Sequence, residues 1–135
     1  MISWKALIIG LIVTILVGLF GQAIYVLLAS YIGMAASDYT FFSIYKQEIW
    51  FIFAILVYCL TMAFGGLLTG TIATQFKVSH AATVGFFASI ASVVSSAESG
   101  HITFMAVVII VLGTLFSSIG GVFARRVSEF DEQAV

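Results

Sequence analysis

Apolar residues in this chain gather into four long runs, at 6–31, 49–75, 78–97 and 102–124, parted by short polar breaks. A helix of about 20 apolar residues crosses a hydrocarbon core of about 30 Å, since each residue advances it by about 1.5 Å. The pattern therefore predicts an all-α fold: a polytopic membrane protein forming a four-transmembrane-helix bundle with short loops, one membrane domain over 1–135. The third run, VSHAATVGFFASIASVVSSA, is the weakest, because Ala, Ser and Thr thin out its large apolar residues. By hydropathy it also suits a re-entrant or interfacial segment. Backbone groups in lipid must be satisfied internally, which favours a span shielded by the other helices.

Composition strengthens the membrane reading. Of 135 residues, 62 % are hydrophobic and 8 % charged, proline is absent, and the mean hydropathy is +1.22. Soluble domains lie far from these values. A net charge of −1 without basic runs leaves no footprint for nucleic acid, whose phosphates require clustered Lys or Arg. The single cysteine, Cys59, cannot form an internal disulfide and is expected as a buried, inert thiol. The first run is too long for the apolar region of a secretory signal, about 7 to 15 residues, so an uncleaved anchor fits better.

Charge sets the expected orientation. Lys5, Lys77, Arg125 and Arg126 fall on one side of the spans and Lys46 on the other. Basic residues favour the cytoplasmic side, so both termini are expected in the cytoplasm of an inner or plasma membrane protein. The opposite loop, SDYTFFSIYKQEIWF at 37–51, carries the rings that settle at headgroup level and suits a short interfacial helix or an aromatic belt. The tail VSEFDEQAV is expected to fray.

Within the spans the informative residues are small. Helices already in lipid gain nothing more from the hydrophobic effect on meeting, so close packing, weak Cα–H hydrogen bonds and polar pairs must hold them. Small residues four apart allow that approach. Gly66 and Gly70 have this spacing in the second run, with Gly65, Thr69 and Ala73 on an adjacent row. Gly10, Thr14 and Gly18, continued by Gln22, repeat it in the first run, Ala81, Gly85 and Ser89 in the third, and Gly113, Ser117 and Gly121 in the fourth. Some rows must pack one bundle internally. Two adjacent rows in the second run exceed what one neighbour needs, so one row, Gly66–Gly70 or Gly113–Ser117–Gly121, is expected to serve a homo-oligomer or a larger membrane complex. Gln22 is the one strongly polar side chain well inside a span, and it is expected to bond a Ser or Thr on another helix.

Candidate chemistry is sparse. Every Asp, Glu, Lys and Arg falls at an expected helix end or loop, whereas carriers and pumps place ionisable groups at membrane depth. Small multidrug carriers of similar length need a carboxylate inside the first helix, and fluoride channels need a threonine-rich break; neither is present. His80 and His101 are expected about 30 Å apart at opposite membrane faces, too far to share a metal. Ser95, Ser96, Glu98 and His101 are the residue types of a hydrolytic group, but a turn at Gly100 and a cap at Ser99 account for that stretch without chemistry.

Three motifs, GG-x3-G at 65–70, KVSH at 77–80 and IGG-x3-RR at 119–126, resemble those of small bacterial four-span membrane proteins without an assigned activity. The likeness implies the topology and adds no substrate. The sequence thus leads to a non-enzymatic interaction or accessory subunit with no cofactor or metal, its partners being the lipid bilayer and other membrane chains. The alternative is an oligomeric channel or facilitator for a small uncharged solute, lined by the hydroxyls of Thr83, Ser89, Ser92 and Ser96.

Overall fold

The computed structural model describes residues 3–35, 44–96 and 104–133. The described residues form four helices: α1 (Trp4–Ala35), α2 (Lys46–Ile72), α3 (Lys77–Ser96) and α4 (Phe104–Gln133). All four are long and apolar enough to cross a membrane, so the chain is a multi-pass membrane protein with an all-α bundle fold. At about 1.5 Å per residue, the 20 residues of α3 span about 30 Å, so the weakest run reaches a full crossing length. Its low hydropathy has a physical reason. Of the most apolar 18-residue stretch of α3, 33 % is buried inside the chain, against 11 % for that of α1, and a helix that faces protein needs fewer apolar side chains than one that faces lipid.

Helix α1 runs four residues past its expected end, to Ala35, and two other ends depart for identifiable reasons. The second helix stops at Ile72 rather than at 75, because Ala73 turns to extended backbone (φ −74°, ψ 125°). The Ala73 N–H donates back to the Thr69 carbonyl at 3.0 Å, and Phe76 adopts a left-handed φ of 50° before α3 begins. That conformation costs a non-glycine residue about 1–2 kcal/mol. The expected fraying of the tail is corrected: α4 continues to Gln133. No glycine or proline interrupts 122–133, and Arg125 Nε donates to Glu129 Oε1 at 2.8 Å, one helical turn on.

The helices alternate in direction, which brings residue 3, the α2–α3 turn and the end of α4 together at one end of the bundle. Helices α2, α3 and α4 form a tight trio, while α1 lies along α2 and meets α3 less extensively. The glycines explain that closeness. A Cβ on Gly66 would strike the Ser117 carbonyl group, and one on Gly120 would strike the backbone of Ala63 and Leu67. Backbone cannot swing aside as a side chain can. Replacing Gly66 by Ala should therefore destabilise the bundle by about 1–3 kcal/mol. Gly33, with nothing within 4 Å of its Cβ position, should accept Ala with a change below about 1 kcal/mol. Unfolding of the two variants side by side in mild detergent measures the difference, and equal stabilities would contradict this packing.

Candidate functional site

The small-residue rows meet one another inside the chain. Along the α1–α2 seam, a Cβ on Gly10 would strike the Thr69 side chain and one on Gly65 would strike Thr14. Each threonine hydroxyl donates to the carbonyl four residues before it, Thr14 to Gly10 and Thr69 to Gly65, both at 2.7 Å. Two Gly-x3-Thr units thus clasp head to tail, each threonine filling the space above the other helix's glycine. Further along, Gly18 faces Thr61, and Gly21 faces Val57 and Thr61. Tyr25 ends the seam, stacked on Phe53 at 5.8 Å and edge-on to Trp50 at 5.7 Å. Part of the expected aromatic belt therefore packs α1 onto α2. Tyr39, Phe41 and Phe42 lie outside the described residues.

The second seam joins the trio. Gly70 faces Ala124 and Gly121, Gly85 faces Ser117 and Gly113, and Gly121 faces Ala81 and Val78. Three hydroxyls tie these surfaces together. Ser117 Oγ donates across to the Ala81 carbonyl at 2.6 Å, and Ser89 Oγ donates to the Gly85 carbonyl at 2.5 Å. Tyr58 Oη donates between Ser89 Oγ at 2.9 Å and the Ile109 carbonyl at 3.1 Å. Among the described residues, no buried side-chain nitrogen or oxygen lacks a partner.

Several expectations need correction. Gly66–Gly70 and Gly113–Ser117–Gly121 lie against each other and against α3 within one chain, so neither row is open to a second molecule. Gln22 makes no interhelical bond. It is exposed on α1 and has no hydrogen-bond partner, because it lies on the flank of the α1–α2 seam. Thr83 is set apart from the other hydroxyls of the suggested lining. Ser89 is buried in the trio, Thr83 Oγ1 returns to the Ser79 carbonyl at 2.9 Å, and Ser92 lies nine residues from Thr83, on the opposite face of α3. The side chain of Ser96, and Glu98, Ser99, Gly100 and His101, lie outside the described residues, and with them the suggested hydrolytic group. Cys59 is a buried free thiol.

Sequence reasoning missed Tyr58, Thr61 and Gly120. Gly120 shares the spacing signal of its neighbour Gly121, whereas nothing in the sequence sets Tyr58 apart from a ring that faces lipid. His80 is buried at 3 % exposure and links two helices. A carbonyl only accepts, so the 3.0 Å contact between Nδ1 and the Phe76 carbonyl places the proton on Nδ1. Nε2 is then free to accept the Ser3 N–H at 2.9 Å, capping the start of α1 from α3. Near the same end, a cavity of about 390 Å³ between the α2–α3 turn and Arg125 opens to the outside.

Replacing Tyr58 by Phe should lower stability by about 0.5–1.5 kcal/mol in a detergent unfolding assay, since it leaves the Ser89 and Ile109 oxygens one donor short. Replacing His80 by Ala should speed amide exchange over residues 3–7, read by mass spectrometry, while the trio stays protected. No protein-family model matches the chain, and neither curated proteins nor solved structures return a match.

Proposed function

We propose that this chain is an integral membrane interaction or accessory subunit, without catalytic chemistry of its own, that acts through lateral helix contacts in the bilayer. The observation that carries this reading is where the buried hydroxyls point. Thr14, Thr69, Ser89 and Ser117 are each at most 2 % exposed, and each donates to a helix carbonyl inside the bundle. Hydroxyls that guided a solute would have to leave bonding capacity facing a path. The orientation belongs to the same proposal. Lys5, Lys77, Arg125 and Arg126 gather at the end of the bundle that holds the α2–α3 turn, which supports termini in the cytoplasm of an inner or plasma membrane.

Two measurements on the purified full chain test the reading. Reconstituted liposomes should swell in small uncharged solutes no faster than empty ones. Native mass in mild detergent should exceed the 14.5 kDa of one chain, either as multiples or with a co-purified membrane partner. Solute flux above the control would favour the facilitator, and a strict monomer without flux or partner would remove both readings.

A further inference from the structure

Helix α1 is the least covered span, with 11 % of it buried within the chain. Apolar exposure alone is ordinary for a helix in lipid. Gln22 is not. Its neighbour Gly21 packs against Val57 and Thr61, close to the middle of α2, which places the amide near the centre of the bilayer. It also lies about 27 Å along α1 from Trp4 and about 20 Å from Ala35, too far from either end to reach water.

A second polar group at the same level is also unmatched. Thr61 is half-buried beside Gly18 and Gly21, yet its hydroxyl makes no hydrogen bond. Elsewhere in the spans Thr14, Thr69, Ser89, Thr114, Ser117 and Ser118 all find carbonyls. The Gln22 amide on the flank of α1 and the Thr61 hydroxyl of α2, beside Gly18 and Gly21, are thus both unbonded at one depth. An exposed amide there must find a donor and an acceptor, and lipid tails offer neither.

We infer that this flank of α1 is the contact surface for a second copy of the chain, with Gln22 paired to Gln22 of that copy across a two-fold axis along the membrane normal. Two features select a copy over another partner. Chains inserted in the same orientation bring identical residues to the same depth, so a parallel α1–α1 contact sets amide against amide without further adjustment. A carboxamide is also self-complementary, carrying both N–H donors and a carbonyl acceptor. Ile15, Leu19 and Val26 supply the exposed apolar contacts on either side of Gln22, and Gly18 and Ala29 are small enough for the helices to approach. The inference rests on the accessory-subunit reading and names one of its contacts.

The test uses the full chain in liposomes over a series of lipid-to-protein dilutions, with the dimer fraction read by single-molecule photobleaching. Gln22→Leu should weaken dimerisation by about tenfold. It should leave unfolding of the isolated chain unchanged, because Gln22 makes no bond within it. In a Cys59→Ala background, Val26→Cys should cross-link to itself on mild oxidation, whereas Leu115→Cys, exposed on α4, should not. Equal cross-linking at both positions, or an undiminished dimer with Gln22→Leu, would overturn the α1 contact and leave the accessory reading standing. A loss of monomer stability in Gln22→Leu would assign the amide to an internal bond instead and would also overturn it. A chain monomeric at every dilution that binds a different membrane protein through α1 would replace the copy by that partner.

Discussion

A polar group in hydrocarbon has no water to fall back on, and the rest of this structure follows from that. Each helix satisfies its own backbone, which is why the described spans are helical. A serine or threonine in the interior must then share a carbonyl already bonded within a helix. Ser117 does so across a seam, to Ala81, while Thr14, Thr69 and Ser89 do so on their own helices. Once bonded, these side chains are compact and nearly apolar on the outside. They can then press against glycine on the neighbouring helix, and close packing supplies the attraction that the hydrophobic effect no longer provides.

The same logic divides the bundle unevenly. Around Gly66, Gly85, Gly113, Gly120 and Gly121 the backbones of α2, α3 and α4 come so close that a methyl group would meet backbone or a buried hydroxyl. Helix α1 is held differently, by the paired Gly-x3-Thr units in its first half, the rings of Tyr25, Trp50 and Phe53 in its second, and His80 at its start. The first and last of these contacts fix its position along α2 and α3. Neither covers its outer surface.

Much of this could be read from residue spacing, though not the pairing. Four apolar runs of crossing length are enough for the bundle, and small residues four apart mark the packing faces, because both signals depend only on helix geometry. Which face meets which is a different question. Gly66 and Ser117 look the same in sequence whether they meet each other or a second chain, and the surplus of small residues in α2 reflects its contact with all three other helices. Gln22 was hard to place for the opposite reason. It continues the row Gly10, Thr14, Gly18 at the same four-residue step, but a straight helix drifts about 40° with each such step, so by the fourth position the row has turned off the seam. The continuation of α4 past Arg126 is accompanied by a local ion pair, which a composition reading of an acidic tail passes over.

Under the proposed α1 contact, the drift at Gln22 would separate folding from association. Among the described residues every buried side-chain nitrogen and oxygen has a partner within the chain. What is left unbonded at mid-depth is one exposed amide on α1 and one half-buried hydroxyl on α2 beside Gly18 and Gly21. A contact formed there would add hydrogen bonds without breaking any, since neither group is committed elsewhere. It would also leave the clasp of Gly10 and Thr69 and the trio untouched. Under the proposed contact, association would vary with chain density in the membrane while the bundle stayed constant, as the accessory-subunit reading requires.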